Sequence, residues 1–286
     1  MRGRTPCFVA SSLVFLAMAA TAAFAAPTFH KIVVPGATRT FTYGVNNNNV
    51  AVGGYIDAKG VQHGLMISAT KVTTIDAPNG IGSTICWGIN SSGTIVGYYT
   101  NSSGTDQAFM YKNGTYTDIG PSGTITLAFG INDSGEYVGE FLDTDGLDKG
   151  FLYNGSSFQT LIPPGATEAL AIGINKNGHV TLQWADSTGV LQSSIFDGTN
   201  YTTISVPGAT ASYAHGIDSK NDVIFTWQDA QLNYHGALLT GGKYYKFDDP
   251  QGCPNGTFGD GINDHQLVVG VCDTSSTAGN GFYVIY

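Results

Sequence analysis

Three carboxylates crowd one short stretch, Asp143, Asp145 and Asp148 in DTDGLDKG. Closely spaced side-chain oxygens are what a hard cation such as calcium takes. The stretch lacks the full twelve-residue spacing and the terminal glutamate of an EF-hand loop. Asp also opens turns through its own side-chain hydrogen bonds, so Asp143 is explained without a metal. Calcium is the one cofactor the sequence raises.

A second set of residues is defined by one recurring position. The residue before the glycine of a repeated Gly-Ile-Asn phrase is Tyr43, Trp87, Phe129, Ile172, His215 or Asp260. Residues shared by every copy of a repeat are architectural, whereas departures at one copy are better candidates for function. Tyr43, Trp87, Phe129, His215 and Asp260 are therefore the candidate ligand-binding residues. Aromatic rings gathered at one mouth of a channel are suited to stacking on sugar rings. His215 and the tryptophans also have a plain packing role available.

Cysteine is sparse. Cys7 precedes the leader cleavage site described below, which leaves Cys86, Cys253 and Cys272. In an oxidising compartment one pair can form, and Cys253 with Cys272 is the expected pair because both fall in one repeat. Three thiols without a C-x-x-C spacing make a poor zinc site.

Motifs for catalysis are absent. There is no H-E-x-x-H, no G-x-S-x-G and no phosphate loop. His63 and His235 belong to a repeated strand motif. Glutamate is limited to Glu136, Glu140 and Glu168, so a paired-carboxylate glycosidase site would need aspartates from other repeats. No catalytic residue is named, and the reading leans away from an enzyme.

These residues need a scaffold, and the scaffold repeats. Arg2 and Arg4, the small apolar run from Phe8 to Ala20 and the Ala23-Phe24-Ala25 site read as a secretory signal peptide over residues 1–25. The rest, 26–286, is expected to be one domain without a membrane span. Loss of the two leader arginines moves the formal charge from −9 to about −11. That acidity argues against nucleic acid and anionic membranes as partners. Gly-Ile-Asn or a variant recurs at Gly44, Gly88, Gly130, Gly173, Gly216 and Gly261. Pro35, Pro78, Pro121, Pro164, Pro207 and Pro250 are spaced by 43 residues every time. Two independent markers thus agree on six units.

Each unit holds four strand-like pieces separated by turns such as Asn90-Ser91-Ser92-Gly93 and Asp186-Ser187-Thr188-Gly189. Four antiparallel strands in about 43 residues describe a propeller blade. The last unit reaches its third strand, GFYVIY, and lacks a fourth. FHKIVVP, from Phe29 to Pro35, is a fourth strand lacking the first three. A ring must close to remove its exposed edges. The expected fold is therefore all-β, a six-bladed β-propeller of four-stranded antiparallel blades, closed by the N-terminal strand pairing into the last blade.

The phrases GINSSGTIVGYY and TTIDAP occur with a third-strand start that reads His63-Gly64-Leu65, Gln107-Ala108-Phe109, Lys149-Gly150-Phe151, Gln192-Ser193-Ser194, His235-Gly236-Ala237 and Asn280-Gly281-Phe282. This combination resembles the HAF-type extracellular repeat family of secreted bacterial proteins, over nearly the whole chain after the leader. The resemblance implies secretion and a β-propeller-like repeat, and it carries over no catalytic residues.

The functional expectation is a secreted, non-enzymatic binding or interaction module, extracellular or periplasmic and monomeric, with an extracellular glycan or protein as partner. The alternative is an extracellular carbohydrate-active enzyme, a lyase or glycoside hydrolase, with its site at the propeller channel mouth.

Overall fold

The computed structural model describes residues 27–286 apart from 70, 122–123, 251 and 276–277, and no side chain at 275 or 278. The leader over 1–25 lies outside the described residues. Short Val-, Ile-, Thr- and aromatic-rich runs bounded by Gly, Asn and Asp become strands, as their propensities require. No helix among the described residues is long and apolar enough to cross a membrane.

After β1 (Thr28–Ile32), the strands group in fours. Blade one holds β2 (Arg39–Val45), β3 (Ala51–Ile56), β4 (Gln62–Ser68) and β5 (Lys71–Ile75). Blade two holds β6 (Thr84–Ile89), β7 (Ile95–Thr100), β8 (Asp106–Lys112) and β9 (Thr115–Asp118). Blade three holds β10 (Thr126–Ile131), β11 (Tyr137–Leu142), β12 (Asp148–Tyr153) and β13 (Phe158–Leu161). Blade four holds β14 (Ala166–Ile174), β15 (Val180–Asp186), β16 (Leu191–Phe196) and β17 (Tyr201–Ile204). Blade five holds β18 (Ala211–Ile217), β19 (Val223–Gln228), β20 (Tyr234–Thr240) and β21 (Lys243–Phe247). Blade six holds β22 (Gly256–Ile262), β23 (Leu267–Ser275) and β24 (Ala278–Ile285), with β1 as its outer strand.

β1 runs antiparallel to β24, with Thr28 opposite Ile285 and Ile32 opposite Gly281. Phe29 enters the core of blade six, its ring 5.1 Å from that of Phe282 and 6.0 Å from that of Phe247. The N-terminal strand thus supplies the fourth strand that blade six lacks. Blade six in turn meets blade one. Thr42 Oγ1 donates to the Gly270 carbonyl at 2.8 Å, and Arg39 pairs with Asp273 at 3.2 Å.

The glycine of each Gly-Ile-Asn phrase is fixed by this packing. A Cβ on Gly44 would sit 2.3 Å from the Trp87 carbonyl oxygen, and one on Gly88 2.6 Å from that of Phe129. The same approach continues from Gly130 to Ile172 and from Gly173 to His215, and Gly261 meets the Tyr43 carbonyl at 2.6 Å. Each blade presses a backbone carbonyl into the gap that its neighbour's missing side chain leaves, and the contact returns to blade one.

The asparagine that follows does two jobs. Its Oδ1 accepts backbone N–H groups two and four residues on, closing its own hairpin, as Asn46 does for Asn48 and Val50 at 3.0 Å each. Its Nδ2 donates to the backbone carbonyl of the equivalent asparagine in the next blade. The series runs from Asn46 to Asn90 at 2.9 Å, Asn90 to Asn132 at 3.1 Å, Asn132 to Asn175 at 3.1 Å and Asn175 to Asp218 at 2.8 Å. Asn263 returns to Asn46 at 2.9 Å. Asp218 breaks the series, because a carboxylate has no N–H to donate toward Asn263.

Candidate functional site

The central channel has a waist of Val45, Ile89, Ile131, Ile174, Ile217 and Ile262, which borders a cavity on each side. At one end lies the asparagine ring, with a cavity of about 90 Å³. At the other end lies a cavity of about 80 Å³ bordered by Tyr43, Trp87, Phe129, Ile172 and Asp260.

These last residues reach the mouth because of a shared backbone irregularity. In each blade the first strand loses register with the second around the residue before the glycine. The shifts fall between Thr42 and Gly44, Cys86 and Gly88, Ala128 and Gly130, Ala171 and Gly173, Ala214 and Ile217, and Gly259 and Gly261. Tyr43, Trp87, Phe129, Ile172, His215 and Asp260 are thus the extra residues of β-bulges. A bulge leaves its extra residue out of the ladder and re-aims its side chain.

The structure brings the five candidate residues into two neighbouring groups. Tyr43 stacks on Trp87 with ring centres 4.2 Å apart and planes 9° from parallel. Phe129 meets Trp87 edge-on at 5.0 Å. Next to blade one on the other side, His215 Nδ1 lies 3.7 Å from Asp260 Oδ1. Burial pushes the His215 imidazole down to about 4 and the Asp260 carboxyl well above the usual carboxylate range. Both effects favour uncharged groups. The buried Nδ1 of His215 and Oδ2 of Asp260 find no hydrogen-bond partner among the described residues. Asp260 also borders an adjoining cavity of about 130 Å³ with Arg39, Phe41, Tyr43, Phe258 and Asp273.

The acidic turn is arranged differently. Asp143 Oδ1 accepts the Thr144 N–H at 2.7 Å, and Asp145 Oδ1 accepts that of Leu147 at 2.9 Å. Asp145 Oδ2 is paired with Lys149 at 3.0 Å. Asp143, Asp145 and Asp148 do not converge on one point; among the described residues only Asp249, Cys253 and Cys272 do. Two of those three are already joined, because Cys253 and Cys272 form a disulfide. Cys86 is buried as a free thiol, and burial pushes it up to about 12.

Glu140 is a group the first-strand comparison does not find. It is 9% exposed and its Oε2 has no hydrogen-bond partner among the described residues. Burial, with the charges of Asp148 and Glu168 behind it, pushes its carboxyl up to about 7. Its register partner is Leu127, and the matching second-strand positions hold Gly54, Tyr98, Gln183, Thr226 and Val271. Aligning second strands as well as first strands picks out Glu140 as the lone acid at its position.

No protein-family model matches the chain, and no curated protein sequence matches it. Solved structures do match. One is described as SapL1 lectin in complex with alpha methyl fucoside, 11% identical, with a TM-score of 0.57 over 88% of this chain and 94% of that one. A mutant of Aleuria aurantia lectin in complex with Fucα1-6GlcNAc is 12% identical, with a TM-score of 0.54 over 86% and 91%. A further structure of a fungal lectin, described as a six-bladed beta-propeller with a novel fucose recognition mode for Aleuria aurantia lectin, is 12% identical, with a TM-score of 0.51 over 86% and 91%. At this identity the likeness is one of fold: the chain is a six-bladed β-propeller.

Proposed function

We propose that this chain is an extracellular, non-enzymatic glycan-binding module of the HAF-repeat type. The observation that carries the reading is the bulge at one mouth of the channel. One repeated backbone device presents three aromatic rings on three consecutive blades and the carboxyl of Asp260, and buried polar atoms of Asp260 and of its neighbour His215 lack partners among the described residues. Buried polar atoms without partners are uncommon and call for an explanation. A saccharide supplies both hydroxyls to satisfy them and C–H faces to lie on rings. The cavity of about 80 Å³ is room for a hydroxyl-bearing edge of a sugar, roughly two or three waters' worth at ~30 Å³ each. The lectin-like fold supports the class of ligand, and the Cys253–Cys272 disulfide supports an oxidising compartment.

The test is a glycan array followed by titration calorimetry on any hit, with Trp87→Ala and Asp260→Asn alongside the parent. Binding that weakens at least tenfold in either variant supports the mouth as the contact. An array without a single hit would remove the glycan reading. Glu140 favours a second reading, because a carboxyl held near 7 is what a general acid in glycoside cleavage needs. Polysaccharide turnover by the parent that is abolished in Glu140→Gln would replace binding with catalysis.

A further inference from the structure

One sizeable cavity lies away from the channel, between blades five and six. It measures about 500 Å³, and its walls include Leu232, Tyr234, His235, Asp248, Asp249 and Asn255. That is within the size range of small-molecule sites, roughly 300–1,000 Å³.

The other repeats show how this place differs. In four of the six repeats the marker proline precedes the phrase glycine by nine residues, as from Pro207 to Gly216. From Pro250 to Gly261 the distance is eleven. The longer connection contains Cys253, which the disulfide ties to Cys272 on β23. One wall of the cavity is therefore extended and covalently fixed to blade six. The opposite wall is the turn between β19 and β20. In blades one to four the equivalent turns place Gly60, Gly104, Gly146 and Gly189 in the left-handed region, with φ between 76° and 83°. Blade five has Leu232 there, at φ 68° and 65% exposed. A left-handed backbone disfavours any residue with a Cβ, and an exposed leucine recovers no burial for it. Asp229 holds the turn in place, accepting the N–H groups of Gln231 and Asn233 at 2.8 and 2.9 Å.

His235 is held rigidly at the cavity wall. Its Nδ1 lies 2.8 Å from Asp248 Oδ1 and its Nε2 3.3 Å from Asp229 Oδ2, with its ring stacked on Trp227 at 4.6 Å. Blade one repeats this arrangement with His63, Asp57 and Asp76. The histidine is thus part of the common scaffold. The longer disulfide-bound connection and Leu232 are particular to the cavity between blades five and six.

We infer that this cavity is a specific subsite for a neutral saccharide, with Leu232 covering an apolar face or substituent of the sugar. The inference rests on the glycan-binding reading and gives it a second place and a ligand class. The walls supply an aromatic ring at Tyr234, an amide at Asn255 and the carboxylate of Asp248, which can accept a hydrogen bond from a sugar hydroxyl, with the charge of Asp249 beside it. The two carboxylates make the cavity unfavourable for uronates and other acidic sugars.

The decisive variant is Leu232→Gly, which gives blade five the residue that four other blades carry and relieves the backbone. Its Tm is expected to equal or exceed that of the parent. On a neutral glycan selected by the array with the parent protein, Leu232→Gly and Asp248→Asn are each expected to weaken binding at least tenfold. Parent binding that neither cavity variant alters overturns the subsite and leaves the glycan reading standing. Hits confined to acidic glycans also overturn it. No hit at all with the parent overturns the glycan reading and the subsite together.

Discussion

At the scale of single residues, the repeat acts as its own control. Asp218 occupies the place of an asparagine in the ring that ties blade to blade. Its Oδ1 does the asparagine's local work, accepting the N–H groups of Lys220 and Asp222 at 2.8 and 2.9 Å. Its Oδ2 is buried without a partner, and desolvation holds the carboxyl above its usual range. A carboxyl whose pKa is raised on folding contributes stability below its unfolded pKa and loses it as pH rises through the folded value. Asp218→Asn restores the missing donor toward the Asn263 carbonyl. It is expected to stabilise the protein by about 1–3 kcal/mol at pH 7, with the gain shrinking toward pH 3. Denaturant melts across that range measure it, and a variant no more stable than the parent at pH 7 contradicts the ring's role. Glu140 follows the same sign. Raised to about 7 by burial, its contribution is present near pH 4 and lost as pH passes through 7. Glu140→Gln should add up to about 3 kcal/mol at pH 8 and nothing near pH 4. A gain that is the same at both pH values would show that the carboxyl is not buried as described.

At the scale of elements, the central question is what β1 does. It is a short strand with exposed positions at Thr28, His30 and Lys31, and by itself it would have no stability. Its value lies in capping β24, which would otherwise be an unpaired edge, and in placing Phe29 against Phe247 and Phe282. Removal of residues 28–36 is expected to lower the Tm by at least ~10 °C, at roughly 2–4 °C per kcal/mol for a chain of this size. A truncated protein that melts with the parent would deny β1 its place in blade six. This much was legible in the sequence, because a six-fold repeat makes an orphan strand visible by subtraction. The strand boundaries and hairpin turns were legible for the same reason. The bulge was not. Strict alternation puts Phe41, Tyr43 and Val45 on one face, yet Tyr43 and Val45 border the channel cavity and Phe41 does not. Alternation counts residues, and a bulge inserts one without leaving a compositional mark except the small residues around it. The asparagine ring was likewise hidden, since turn chemistry alone already accounts for Asn at that position. The cavity beside the disulfide depends on where two walls meet, which spacing within one repeat does not encode.

At the scale of the whole molecule, two kinds of bond close the circle, and they are separable. One is the exchange of a strand, with β1 completing blade six. The other is the contact made at every blade junction, where glycine backbones nest and asparagine side chains cross. The second kind is present between blades six and one as elsewhere, through Gly261 against the Tyr43 carbonyl and Asn263 to Asn46. Circular permutation distinguishes their contributions. Thr28 and Ile285 are register partners, so a short glycine-rich linker joins residues 286 and 27 without strain on the ladder. Opening the chain at the exposed turn between Asn154 and Gly155 makes β13 the new leading strand. Blade three then becomes the blade completed by strand exchange, and this permutant is expected to melt within about 5 °C of the parent. Opening it between Pro164 and Gly165 instead leaves every blade with four consecutive strands of its own. That ring is held at its seam by the junction contacts alone, and it is expected to melt on the order of 10 °C below the first permutant. Equal melting of the two would mean that the glycine and asparagine contacts suffice to close the propeller. A folded first permutant beside an unfolded second one would show that strand exchange is indispensable, because the two proteins differ only in where the chain is cut.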